Sequence, residues 1–168
     1  SKELVQIWRA HPHMIQLEPH VYKIHLANLL NAAFQFDKYE EFPQILEEFS
    51  NIPSRNFNEE AETFQNLSFY QLLYYLNTKK LDTALQALSN ITQGLDKYQS
   101  KINKARELAF YYNISILYFM LDNTDHALLW LNKIINHSKT DHRKDIQRFA
   151  EILQLFFHYN LNNFELLD

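Results

Sequence analysis

One phrase recurs along this chain: a long aromatic-rich run, a short polar break, then a second amphipathic run. The breaks read FQFDKYEEF, NTKKLDTAL, LDNTDHALL and NLNNFELL. Aligning Tyr39, Leu81, Thr124 and Phe164 gives steps of 42, 43 and 40 residues (39 to 81, 81 to 124, 124 to 164). A period in this range marks stacked helical pairs, none of which can bury its apolar face alone. Stacking produces an extended concave surface, which suits binding better than chemistry. The expected fold is all-α: an antiparallel array of about four helical pairs, the last incomplete, read as one domain over 1–168.

Composition supports that reading. The chain has one Gly and four Pro in 168 residues, which favours helices joined by loops that do not rely on glycine at positive φ. A net charge of −4 gives no basic excess to displace counterions from phosphates, so nucleic acid is not an expected partner. The absence of Cys removes thiol and disulfide chemistry and suits a cytoplasmic protein. The opening SKELVQIWRAHPH is too polar for a signal peptide, and no apolar run is long enough to cross a bilayer. The Ser-Lys-Glu start and the short ending NNFELLD suggest a segment of a longer protein whose last helix is cut. Self-association through that end is expected, because only FELLD is left to cover Leu155, Phe156 and Tyr159.

Local signals place the elements. A short helix over 3–10 stops before Pro12, and Pro19 opens a helix to about Phe36 on Leu26, Leu29, Leu30 and Ala33. A return helix carries Pro43 in its first turns, and SNIPSRNFN is a loop. Asn58 is the expected cap of the next helix, which runs to about Leu76. Gly94 is the expected C-cap of the segment that follows. A third long helix covers about 101–121, Thr124 caps its return, and a fourth runs from about Asp141 to Tyr159 on Ile152, Leu155, Phe156 and Tyr159.

The pattern resembles tetratricopeptide-type repeats over about 19–168. Tyr111, Ile114, Ser115 and Tyr118 match the first-helix spacing with Ser115 at its small position. Ala84 with Leu88, and Ala127 with Leu131, match the second helix. Tyr39 matches the aromatic that opens the second helix, with Phe42 where the family has a small residue. The family's glycines are absent and the period is longer than its own. The resemblance implies a groove lined by first helices, here Asn31, Phe34, Gln35, Tyr70, Tyr74, Asn77, Tyr112, Phe119, Phe157 and Asn160. It implies a protein or peptide segment as partner, held by tyrosine area and by Asn and Gln amides. The same rings are also what long helices need for their own core.

Catalytic and metal readings find little footing. His11, His13, His20 and His25 lack helical ligand spacing, since His20 and His25 are five apart. Glu40–Glu41 and Glu47–Glu48 alternate with Phe42, Ile45, Leu46 and Phe49, as on a solvated outer face. One glycine excludes phosphate-cradling loops and dinucleotide fingerprints. The cluster Lys133, Lys139, Arg143, Lys144 and Arg148 is interleaved with Asp141 and Asp145, which favours helix-surface pairs over phosphate contact. The expected function is a non-catalytic protein-interaction module without cofactor or metal. The alternatives are a peptide-sensing regulatory domain of a larger signalling or transcription protein, or an accessory helical domain of an enzyme.

Overall fold

A computed structural model of the chain describes residues 2–136 and 144–160, with the side chain of Asn160 excepted. All regular structure among these residues is helical. The elements are α1 (Lys2–Ala10), α2 (Pro12–Leu17), α3 (Pro19–Gln35), a 3-10 turn (Tyr39–Glu41), α4 (Phe42–Ser50), α5 (Phe57–Asn77), α6 (Leu81–Lys97), α7 (Lys104–Met120), α8 (Thr124–Ile135) and α9 (Lys144–Asn160). No helix among them is long and apolar enough to cross a membrane. Two compact units are formed. The first takes the described residues up to 80 together with 96–101, and the second takes 81–95 with the described residues from 102 onward.

Three long helices end in the same way. Asp37, Lys79 and Asp122 have φ of 54°, 57° and 58°. At each, the next residue's N–H reaches back five positions: Lys38 to Ala33, Lys80 to Tyr75 and Asn123 to Tyr118, at 2.8, 2.8 and 2.9 Å. The left-handed residue itself donates to the carbonyl three positions back, namely Phe34, Leu76 and Phe119. This is the Schellman arrangement, which satisfies the last carbonyls of a helix. The loops do use positive φ, then, but at Asp and Lys. None of these turns relies on glycine, in keeping with its scarcity. Gly94 is no cap either; it is buried inside α6, where the absence of a Cβ permits close approach.

The N-caps shift by one or two residues from their expected places. Asn56, not Asn58, accepts from the Glu59 N–H, and Asn123, not Thr124, accepts from the His126 N–H. Both choices put a side-chain oxygen on an otherwise orphaned donor. Asn103 does the same for Ala105 at the start of α7.

In the first unit the core is built on Tyr22, Leu26, Leu29, Leu30 and Ala33 of α3, joined by Val5 and Trp8 of α1 and by Phe42, Ile45 and Phe49 of α4. In the second, α7 and α8 pair closely. The ring contacts Tyr111–Trp130 and Tyr118–His126 step in opposite directions along the two helices, so this pair runs antiparallel. Ala127 of α8 and Ala84 of α6 are fully buried. On α9 the apolar phase is the reverse of the expected one. Ile146, Ala150 and Phe157 are buried, whereas Ile152, Leu155, Phe156 and Tyr159 are 48–61% exposed. Phe157 decides this orientation by stacking on Phe119 at 4.8 Å.

Candidate binding surfaces

Two polar clusters in the first unit hold its helices together. In one, the Arg9 guanidinium donates to both carboxylate oxygens of Glu48, the closest contact being 2.6 Å, and the Tyr22 hydroxyl donates to the same carboxylate. Trp8 stacks on Tyr22 at 5.5 Å, so α1, α3 and α4 meet at one group. Burial alone would raise the Glu48 carboxyl, but the hydrogen bonds from Arg9 and Tyr22 and the Arg9 charge hold it below the usual range. Burial and the Glu48 bond push the Tyr22 hydroxyl up to about 12. Lys2 adds a second tie to Glu41 at 2.7 Å.

The other cluster surrounds Lys23, which is 4% exposed. Its ammonium donates to Ser54 Oγ at 2.8 Å and Thr63 Oγ1 at 2.9 Å, and those hydroxyls lie 3.1 Å from each other. Burial lowers the Lys23 pKa, and the Glu59 and Glu62 charges partly offset that. The recess alongside, bounded by His20, Phe49, Thr63 and Asn66 among others, has room for about one water. Among the described residues no three His, Cys, Asp or Glu side chains converge as metal ligands.

The residues picked out by the resemblance separate into three groups. Tyr70, Tyr74 and Phe157 are core residues, at 6%, 9% and 0% exposure, which corrects their place in a groove. Tyr74 lies flat against Phe42 at 5.6 Å and takes the Lys80 ammonium on its hydroxyl, so neither ring face nor hydroxyl is left for a partner. Phe34, Tyr112 and Phe119 are half-buried. Phe34 meets Tyr39 edge-on, Tyr112 meets Phe149, and Phe119 meets Phe156 and Phe157. Asn31, Gln35 and Asn77 are exposed, and the Asn77 amide is spent on the carbonyl of Leu73. Asn160 ends α9, with its side chain outside the described residues.

Lys133 lies over Trp130 at 4.0 Å and Tyr111 at 5.6 Å, while Lys139 and Arg143 fall outside the described residues. The segment expected to cover α9 lies outside them too.

The sequence also carries a periodic charge pattern. Between Lys23 and Asp37, Glu62 and Lys79, Glu107 and Asp122, and Glu151 and Glu165, the chain carries no Asp, Glu, Lys or Arg. These stretches fall on α3, α5, α7 and α9, once per period. A solvent-facing helix normally carries charge, and its depletion is the compositional mark of interface cores. On α3, Ile24, Asn28, Asn31 and Gln35 of this stretch, with Val21 just before it, are all exposed, at spacings of 3, 4, 3 and 4 residues. The chain matches no protein-family model, and no curated protein or solved structure matches it.

Proposed function

We propose that this chain is a non-catalytic protein-interaction module, an array of helical pairs of the tetratricopeptide kind that takes a protein or peptide segment as its partner. The array part rests on the three identical helix ends at Asp37, Lys79 and Asp122, spaced by the same 42 and 43 residues as the sequence phrase. The binding part rests above all on the charge-free, exposed stripe of α3. The shifted groups Glu48, Tyr22 and Lys23 are engaged with neighbouring side chains of their own unit, which favours a structural task for them. A cysteine-free sequence suits a cytoplasmic setting.

The test is selection from a displayed random-peptide library, with each enriched peptide resynthesised and titrated against the chain. Saturable binding that raises the melting temperature as mass action requires supports the reading. No enriched sequence, or enrichment without saturation, counts against it.

A second reading is favoured by α9. Phe149, Ile152, Leu155 and Phe156 are 52%, 61%, 55% and 48% exposed on one helix, an apolar patch of a kind that marks interaction sites. It supports self-association through this helix. Sedimentation of the chain beside its Ile152→Lys variant decides: a concentration-dependent dimer lost in the variant supports it, and a monomer in both removes it.

A further inference from the structure

We propose that α9 of one copy packs into the open side of α1 and α3 of a second copy, joining chains head to tail. This rests on the reading of α9 as a self-association surface, and it names the surface that receives it.

The period of the sequence reaches one step further back than the phrase that defines it. Leu131 and Ile134 on α8 are fully buried. Forty-three residues earlier stand Leu88 and Ile91 on α6, both buried, and 42 before those stand Leu46 and Phe49 on α4, both packed in the core. One more step of 42 reaches Leu4 and Ile7 on α1, and there the same two positions are 47% and 52% exposed. By this register α1 is the second helix of a pair.

The contacts of α1 agree. It packs on α3 as α4 packs on α5 and α8 on α9, and Lys2 and Arg9 tie it to the next second helix, α4. On α8, Asn132 meets Gln154 of the following first helix while Trp130 meets Tyr111 of its own first helix. On α1, Val5 and Trp8 take the side toward α3. At about 100° of turn per residue, Leu4 and Ile7 lie opposite the Lys2–Arg9 edge, on the side where a second helix meets its own first helix. No helix stands there among the described residues.

The neighbouring side of α3 is open in the same sense. Thr63 of α5 bonds Lys23 of α3, and Tyr70 and Tyr74 of α5 lie in the core of that unit, so α5 turns these positions back onto the preceding pair. Their counterparts 42 residues earlier on α3 are Val21, Asn28 and Ala32, of which two are exposed and Ala32 is half-buried. Together α1 and α3 therefore border a slot for one first helix.

What α9 lacks is the reverse. On α7, Tyr111 and Tyr118 meet the second helix α8, while Tyr112 and Phe119 meet the next first helix, α9. Helices α7 and α9 start 40 residues apart, at Lys104 and Lys144, so Ile152 and Tyr159 are the counterparts of Tyr112 and Phe119. Both are exposed, with Leu155 and Phe156 beside them. Among the described residues α9 is a first helix with neither a second helix of its own nor a following first helix, and α1 with α3 offers both. In the joined pair Ile152, Leu155 and Phe156 bury against Leu4, Ile7 and Val21, while Glu3, Arg148 and Glu151 lie at the rim. The two surfaces differ, so the contact is heterologous and can repeat from copy to copy.

The experiment is sedimentation velocity on the whole chain, on Ile7→Lys, on Ile152→Lys and on an equimolar mixture of the two variants. Both positions are exposed, and circular dichroism melting checks folding; Leu4→Lys with Leu155→Lys is the replacement pair if either variant melts early. The wild type is expected to associate with rising concentration, and each variant alone to lose about tenfold or more in association. The mixture should recover a dimer of one copy of each variant and nothing larger, because it holds one intact slot and one intact α9. Association of Ile7→Lys alone at wild-type strength overturns the proposal and leaves the self-association reading of α9 standing. A mixture that stays monomeric overturns it as well. A monomeric wild type removes both.

Discussion

Asp37 and Asp122 sit in the same left-handed conformation, φ 54° and 58°, each one residue past the cap of a long helix whose last carbonyls it helps to close. For an L-residue with a Cβ this conformation costs energy, and Asp tolerates it only because its short side chain can bond locally. Glycine has no such cost, though it gives up more unfolded-state entropy. Asp37→Gly and Asp122→Gly are each expected to raise stability by about 0.5–1 kcal/mol, measured by urea unfolding. Asp37→Val should do the reverse, since a β-branched residue fits this region worst. If both glycine variants destabilise, the Asp side chains are contributing more than the backbone geometry requires.

Ser115 carries a fully buried hydroxyl with no hydrogen-bond partner in the small position of α7. Desolvating that group without compensation typically costs about 1–3 kcal/mol. Ser115→Ala keeps nearly the same volume and removes the cost. The variant should unfold at higher denaturant by about 1 kcal/mol with an unchanged slope. A loss of stability would mean that the hydroxyl has a partner, such as a buried water.

The Arg9–Glu48–Tyr22 contact predicts losses at both ends of the pH scale. The Glu48 carboxyl is held below its unfolded value of 4.5, so its contribution is complete above that pH and is lost as pH falls through the lower folded value. The Tyr22 hydroxyl is raised from 10.0 to about 12, so the folded state holds that proton longer and stability declines as pH rises across that window. In Glu48→Gln the acid loss should shrink. In Tyr22→Phe the alkaline loss should shrink. Melting temperatures across the pH range read both, and unchanged profiles would show that this cluster does not govern them.

Lys23 has the opposite sign to Tyr22. Its folded pKa lies below 10.5, so between the two values the unfolded chain binds more protons and stability rises with pH. Lys23→Met removes the buried cation and leaves Ser54 and Thr63 bonded to each other. The variant is expected to equal the wild type or exceed it by about 1 kcal/mol near neutral pH. It should also lack the wild type's gain as pH rises toward 10.5. A marked loss in Lys23→Met would show that the amine's two hydrogen bonds outweigh its desolvation.

The periodic phrase and the proline positions located most helices, because apolar spacing and the missing amide of proline act locally. What failed was decided by contacts between helices. On α9 both candidate phases contain large apolar residues, and only the stacking of Phe157 on Phe119 selects the buried one. The left-handed ends were hidden because Asp and Lys carry no signature comparable to glycine at such a position. On α3, Asn31 and Gln35 are exposed, and Asn28, Val21 and Ile24, which the resemblance did not name, are exposed on the same stripe. Their signal was the absence of charge over a whole helix face, which a search for reactive residues does not see.

Tyr74 and Tyr112 were matched to the same groove by sequence, and their packing now separates them. Tyr74 is 9% exposed, lies parallel to Phe42 with an interplanar angle of 14°, touches Tyr75 and takes a hydrogen bond from Lys80. Truncating a buried ring of this kind typically costs about 3–5 kcal/mol. Tyr112 is half-buried, with Phe149 against its edge, and burial raises its hydroxyl pKa with no charged partner involved. Tyr74→Ala is therefore expected to lower the melting temperature far more than Tyr112→Ala. Because Tyr74 has no surface to offer, any binding it loses should track the fraction unfolded and return when the variant is assayed well below its melting point. If Tyr74→Ala instead melts like the wild type while losing peptide binding, its ring belongs to a partner site after all.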